Sequence, residues 1–442
     1  MQTSVTARLV VMFVIFICLL VPLPFIAVLV GERAARQAEV TTEISRTWGA
    51  AQTIGGPVLV VPYTYREPTP GGGWREATGR ACLLPEVLFM DGTLEPEVRR
   101  RSLFDVVVYR ARLQVHGQFR RPDLGVLLSP APDQVFWERA VVSVGVSDPR
   151  GLVRQMTLDW NGREVPFVPG AEDVALYDAG VHAAAPVGEA ATVVLPFAFT
   201  LELNGTGSLQ VLPSGNDTRV SLRSPWPHPS FGGAALPETR TVGSAGFEAE
   251  WRVPYFGRGF SPAWDAAGGK RAELHERAAA AAFGVSLIRP VDIYQQADRA
   301  VKYAVLFIVL TLVLAFLWEM TGVVLVHPIQ YLFVGFVLCV FYLLLLSLAE
   351  HVGFAAAYAL AAGASVLLLA YYWSWVLHAA RRGVAMGGAT AVMYGYLYLL
   401  LRLEDYALLA GSVGLFAMLA TVMIVTRRVN WYDLRLGAPR PM

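Results

Sequence analysis

Five ionisable side chains stand where long apolar runs end: Asp298 ahead of the first in a closely spaced series, Glu350 and His351 after the second, and Glu404 and Asp405 between the last two. Carboxylates and an imidazole in that pattern can hold a divalent cation, or grip a lipid headgroup or a neighbouring β-rich domain. Charge placed inside lipid is costly and therefore usually functional. At a helix boundary, however, water and headgroups solvate it, and the simpler reading is that such residues fix the ends of helices. Glu319, His327 and Arg402 occupy boundaries of the same kind. The five residues form a candidate cluster at one rim of a helix bundle, and topological anchoring is its competing explanation.

Other chemistry finds little support. Gly71-Gly72-Gly73 has no strand before it and no Lys-Ser pair after it, so it reads as a loop and not as a phosphate cradle. His116, His182, His228 and His275 are scattered, with no His-Glu-x-x-His spacing. Asp292 and Asp298 read as a solvated face beside the membrane. No Gly-x-Ser-x-Gly elbow is present. Cys18 and Cys339 fall in apolar runs, which leaves Cys82 alone in the polar region, without a partner for a disulfide or a thiolate metal site. The sequence thus names no catalytic residue, cofactor or metal ligand.

The elements that must position the candidate cluster are membrane helices. Of 442 residues, 55% are hydrophobic and 16% charged, and the mean hydropathy is +0.46. Soluble domains carry about 25% charged residues. With 36 basic and 35 acidic residues there is no cationic excess for a nucleic-acid partner. Leu9–Val30 is the first run long enough to span a bilayer. It exceeds the apolar core of about 7–15 residues of a cleavable signal, and Gly31-Glu32-Arg33 is no clean cleavage site, so it is expected to remain as an anchor. Pro22 and Pro24 are expected to kink it. Five more runs follow: Val301–Trp318, Ile329–Ala349, Phe354–Leu377, Val384–Leu401 and Tyr406–Val425. Six crossings put both termini on one side. Arg8, Arg381, Arg382, Arg427, Arg428, Arg435 and Arg440 would share that side, whereas the opposite short loops carry Arg402 alone. The positive-inside rule then makes both termini cytoplasmic and sends residues 31–300 across the membrane.

That exported stretch reads as sheet. Val58–Val61, Phe104–Tyr109, Ala140–Val146, Thr192–Leu203, Ser208–Leu212 and Glu248–Val253 are short apolar runs parted by turn residues. Asp91-Gly92 and Asn161-Gly162 are expected as hairpin turns, Pro68–Gly73 as a loop and Leu274–Phe283 as a helix. The expected architecture is an α+β membrane protein: an anchor helix (1–30), a large β-rich, sandwich-like domain of two packed lobes (31–300), a five-helix transmembrane bundle (301–426) and a tail (427–442).

Several long strings resemble the CreD family of bacterial inner-membrane proteins. They are Trp48–Pro57 (WGAAQTIGGP), Ser224–Gly233 (SPWPHPSFGG), Tyr294–Tyr303 (YQQADRAVKY), His327–Tyr331 (HPIQY), Ser347–Phe354 (SLAEHVGF), Leu403–Leu409 (LEDYALL) and Arg427–Tyr432 (RRVNWY). One departure stands at Arg258–Trp264, where the proline is displaced and an expected glutamine is absent. The resemblance implies a role in cell-envelope integrity and induction through a two-component sensor and regulator; it carries over no catalytic residue. The function expected is that of a non-enzymatic inner-membrane protein that scaffolds or senses through its periplasmic domain. Its expected partners are membrane lipids and other envelope proteins. A transporter or lipid-handling protein, with a path between bundle and β-domain, is the alternative; a membrane-embedded hydrolase is a second.

Overall fold

The computed structural model describes residues 5–69, 73–172, 174–188, 193–266, 271–288, 292–320, 326–403 and 406–427. The chain divides into two compact units, one of Met1–Ala38 with Val291–Met442 and one of Glu39–Pro290. Helix α1 (Val5–Leu20) stops at a bend at Val21, and α2 (Pro22–Trp48) starts on the proline, whose missing N–H is no loss in a first turn. Helix α2 does not end with the apolar run at Val30. The residues after it, rich in Ala, Arg, Glu and Gln, favour helix as strongly as apolar ones do, and hydropathy does not register them. The boundary between the units falls inside this helix.

The second unit is built of strands β1 (Gln52–Pro68), β2 (Trp74–Leu83), β3 (Val87–Arg101) and β4 (Phe104–Arg120), then the short helix α3 (Leu124–Leu127). Next come β5 (Gln134–Val135), β6 (Val141–Val146), β7 (Thr157–Trp160), β8 (Arg163–Pro166), β9 (Val168–Pro169), β10 (Gly180–Ala184) and β11 (Val194–Thr206). The remainder are β12 (Ser208–Val211), β13 (Asp217–Ser224), β14 (Pro229–Gly233), β15 (Thr239–Gly243), β16 (Gly246–Pro254), β17 (Ala263–Asp265), helix α4 (Arg271–Ala280) and β18 (Phe283–Leu287). One sheet runs β14-β18-β12-β1-β6-β10-β9, with β2, β5 and β17 attached through β1; the other runs β15-β16-β13-β3-β4-β11-β7-β8.

A single hydrophobic core draws on both sheets, with Leu59 and Val61 of β1 clustering with Leu88 and Met90 of β3, Leu113 of β4, Leu201 of β11 and Trp251 of β16. The two lobes expected from the sequence are therefore one sandwich. The reason lies in the pairing: β1 runs parallel to β12 and β3 parallel to β13, so segments far apart in the chain close each sheet. Strand β1 is apolar on consecutive residues because both faces are covered. Val58 and Val60 point away from the main core into a second cluster with Cys82, Tyr177, Leu212 and Ala278 of α4.

Asn161 and Gly162 make the tight turn between β7 and β8, both at positive φ. Asp91 and Gly92 do not turn: they lie inside β3, opposite Gln114 and Leu113 of β4. Gly92 serves packing there, since a Cβ would meet the Leu113 and Leu222 methyls at 2.5 Å. Of the loop expected at Pro68–Gly73, residues 70–72 lie outside those described; pairing reaches Pro68 opposite Trp74. The helix expected to reach Phe283 ends at Ala280, because Phe283 is the first residue of β18.

In the first unit, α5 (Ile293–Met320), α6 (Pro328–Val352), α7 (Phe354–Val376), α8 (Ala380–Arg402) and α9 (Ala407–Thr426) follow one another in the chain. Helices α5 to α8, and the Arg8–Trp48 segment, are long and apolar enough to cross a membrane; the apolar part of α9, Leu409–Ile424, is shorter. Leu19 of α1 is fully buried against Gly335 of α6, where a Cβ would clash with it, so the glycine sets the approach of the two helices.

Candidate functional site

At the α6–α7 turn, Glu350 joins three helices. Its side chain is 7% exposed and lies 3.8 Å from the Arg33 Nε of α2. The Tyr294 hydroxyl, in the first turn of α5, donates to Glu350 Oε1 at 3.0 Å. That turn is itself fixed by Asp292, whose carboxylate accepts the Tyr294 N–H at 2.9 Å. Asp298, one turn further along α5, pairs with Lys302 at 2.6 Å on an exposed face. His351 is exposed, and its Nδ1 donates to the Ser347 carbonyl at 3.0 Å within its own helix. Glu404 and Asp405 lie outside the described residues. Of the five candidates, Glu350 therefore sits in a network, while Asp298 and His351 are each engaged on their own helix. Among the described residues, no group of three or more His, Cys, Asp or Glu side chains could hold a metal ion.

Beside Glu350 lies a cavity of about 540 Å³ bounded by the start of α5, the α6–α7 turn and the end of α8. Its polar wall is Gln296, Tyr398 and Arg402; Phe354 and Leu401 make it apolar elsewhere. The Arg402 guanidinium receives the Tyr398 hydroxyl oxygen at 2.7 and 3.1 Å, Nη2 and Nε donating.

Where α5 runs into α6, a second carboxylate is more deeply enclosed. Glu319 is 3% exposed and accepts hydrogen bonds from the Tyr331 hydroxyl at 2.7 Å and the Val326 N–H at 3.1 Å, and it pairs with Arg8 of α1. His327 caps α6 by accepting the Ile329 N–H, and Gln330 accepts the His327 N–H in return. Arg8 was legible in the sequence as the lone cation ahead of the first apolar run, but its partner lies hundreds of positions away and no spacing rule connects them.

The β-rich unit holds its ionic groups in the same way. Gln52, 1% exposed, donates to the carbonyls of Asp148 and Asn204 at 3.1 and 3.0 Å and accepts the Asp148 N–H at 3.2 Å. Asp148 accepts from the Ala50 N–H at 3.0 Å and from Arg150 at 2.8 and 3.0 Å. The Arg150 bonds hold the Asp148 carboxyl below the usual carboxylate range, against the opposing effect of burial. Trp48 donates to the Tyr109 carbonyl at 3.3 Å beneath the Arg99 guanidinium. The Trp48–Pro57 string is thus a clasp that pins the start of β1 to the other sheet. Arg258, 1% exposed, donates to the carbonyls of Phe260 and Gly215 at 3.0 and 3.1 Å, and burial pulls its pKa down to about 10. At neutral pH it stays charged.

The outward face of the eight-stranded sheet differs. Along β4, Arg112, Gln114 and His116 alternate with buried neighbours and line a groove of about 630 Å³ with Arg154, Thr200 and Glu202. Arg112 and Arg154 both approach the Glu202 carboxylate, at 3.6 and 3.3 Å. The strand expected at Phe104–Tyr109 stops short of these residues, and nothing local signals that the outward side chains form a groove, because β7 and β8 complete it from a distant segment.

The fold and these sites define a multi-helix membrane protein with a large β-sandwich unit, whose buried ionic groups fasten helix ends and strand ends. The chain belongs to the CreD family: the family described as "Inner membrane protein CreD" matches residues 4–432. The Inner membrane protein CreD of Escherichia coli (strain K12) is 32% identical over 422 residues, covering 95% of this chain and 92% of the relative.

Proposed function

We propose that this inner-membrane protein supports cell-envelope integrity under stress without catalysis, its β-rich unit acting as a scaffold or sensor in the periplasm. Membrane lipids and other envelope proteins are its partners in this reading. The observation that carries it is the groove over β4, β11 and β7. It is wide, polar and lined by exposed charges of both signs, which suits the rim-type contacts of a polar partner better than the enclosed, mostly apolar pocket of a small substrate. The buried ionisable groups support the same reading, since Glu319, Glu350 and Asp148 each accept hydrogen bonds from neighbouring backbone or side chains.

The test is complementation. Arg112→Gln with Arg154→Gln removes both cations from the groove, and both side chains are largely exposed, so folding is expected to be unaffected. In cells lacking the chromosomal copy, the double variant should accumulate to the wild-type level yet fail to restore resistance to envelope stress. Full restoration would remove the groove from the proposal.

A lipid-handling reading is the alternative, and the cavity beside Arg402 is what favours it.

A further inference from the structure

We propose that β15, an open edge of the eight-stranded sheet, is a docking site for an extended basic segment of a partner protein, which adds to the sheet as a further strand. Among the described residues β15 pairs with β16 alone, and no strand lies beyond it. An open edge is a template for another chain, and proteins blunt it with proline or with very short strands. The other edges of this unit are blunted in that way. Strands β8, β9 and β14, at the remaining ends of the two sheets, contain Pro166, Pro169 and Pro229. Strands β5 and β17, attached at the side, are two and three residues long. Strand β15 has five residues, all exposed and none a proline. Its backbone is set to pair. Ser244 and Ala245 form a two-residue loop, which makes Gly243 and Gly246 a hydrogen-bonded pair. The alternation of an antiparallel ladder then turns Thr239 and Thr241 to β16 and directs the N–H and C=O groups of Arg240 and Val242 outward.

The side chains say what the added strand carries. Glu248 and Glu250 alternate along β16 with the buried Phe247, Ala249 and Trp251, so they stand on the outer face, next to Thr241 and Thr239. The Thr239 hydroxyl donates to Glu250 at 3.1 Å. Neighbouring strands lie about 4.8 Å apart, so the two glutamates are about 10 Å from an added strand. Threonine is short, and a lysine or arginine on that strand reaches over it to the carboxylate. A groove of about 520 Å³ runs past Thr241, with Glu95 and Glu248 in its lining and Arg223 its one cation. Val242 faces the other way, exposed beside Phe247 at the margin of the core, and suits an apolar neighbour. The matching segment therefore alternates cations with apolar residues, its main chain supplying affinity and its side chains the choice of partner. A second copy of β15 matches poorly, because it would offer the glutamates only threonines. This edge is separate from the groove over β4 and β11, and neither depends on the other.

The experiment is fluorescence anisotropy with the full-length protein in a mild non-ionic detergent and short labelled peptides. One alternates lysine with valine, one alternates glutamate with valine, and one is the lysine peptide N-methylated at every second residue. The lysine peptide should bind. Its N-methylated form keeps the charge and the apolar residues but loses backbone donors, and it should bind about tenfold or more weakly, as should the glutamate peptide. Val242→Pro removes an outward N–H without touching a bond to β16, and it should weaken the lysine peptide about tenfold. Glu248→Gln with Glu250→Gln should weaken it about fivefold. No binding of the lysine peptide, equal binding of its N-methylated form or of the glutamate peptide, or an affinity unchanged by Val242→Pro would each overturn the proposal. A dimer that Val242→Pro dissolves, with no peptide bound, would give the edge to a second copy and overturn it too. Where Val242→Pro disturbs the hairpin, the N-methylated peptide still decides, because it leaves the protein unchanged.

Discussion

Asp148 shows how a single side chain can carry an argument about pH. Arg150 bonds its carboxylate at two points, and the N–H groups of Ala50 and Arg150 add two more, so its pKa is lowered despite burial. The unfolded chain binds this proton at a higher pH than the folded one. The stabilisation is therefore complete above about pH 4 and is lost as pH falls through the depressed folded value. In thermal melts of the purified protein followed by its β-sheet signal, the wild type should lose stability on acidification more steeply than Asp148→Asn. Near neutral pH the variant should already be less stable by about 1–3 kcal/mol, the range for a charge-assisted bond. Parallel slopes would mean that the carboxylate does not carry the effect. Arg258 poses a different question, since it is buried with two backbone carbonyls as acceptors. Arg258→Met should destabilise the unit by about 1–3 kcal/mol through those orphaned carbonyls, measurable in the same melts. Neither role was visible in the sequence: Asp148 and Arg258 stood among dozens of charged residues, and their meaning depends on Ala50 and Gly215, which only the folded chain brings near.

Among the elements, the helix ends carry most of the information. Glu319 ties α1, α5 and α6, and removing it leaves Arg8 and the Tyr331 hydroxyl without their shared carboxylate. Breaking an enclosed ion pair from one side costs about 3–5 kcal/mol, whereas losing one hydrogen bond to a carboxylate costs about 1.5–3 kcal/mol. Glu319→Ala should therefore lower the melting temperature in detergent well beyond Tyr331→Phe, and Tyr294→Phe at the Glu350 junction should resemble the milder variant. A Glu319→Ala protein as stable as Tyr331→Phe would show that Arg8 contributes nothing to the knot. The apolar runs of α5 to α9 were legible because lipid imposes a length and a composition on each. The strands β4, β6, β11, β12 and β16 were legible because apolar runs between turn residues mark them. Hydropathy gave no warning that α2 would continue through Arg33 and Glu43 to Trp48. The Asp-Gly dipeptide at Asp91-Gly92 reads as a turn, because a glycine chosen to make room for Leu113 and Leu222 looks the same in sequence as one chosen for its backbone freedom. The Glu350 junction was half legible: position marked Glu350, but nothing local marked Tyr294 or Arg33 as its partners.

For the whole molecule, the open physical question is one of parity. Among the described residues, five segments meet the length and hydropathy that a crossing requires, and α9 is shorter in its apolar part. If α9 crosses, the chain has six spans and its termini share a side; if α9 lies along the surface, they are on opposite sides. Charge argues for the crossing. Arg381 and Arg382 open α8, and Arg427 and Arg428 follow the apolar stretch of α9. Both pairs can face the cytoplasm with Arg8 only if α9 returns the chain across the bilayer, and leaving one pair outside would oppose the positive-inside rule. We propose the six-span arrangement, with both termini cytoplasmic and the β-rich unit periplasmic. Cysteine accessibility in intact cells resolves it. In a Cys18→Ala background, which removes the exposed native thiol while Cys82 and Cys339 stay buried, Arg163→Cys on the exposed strand β8 should react with a membrane-impermeant maleimide. Arg381→Cys and a cysteine appended after Met442 should react only once the inner membrane is opened. Labelling of the appended cysteine in intact cells, with Arg381→Cys still protected, would leave α9 on the surface and the parity odd.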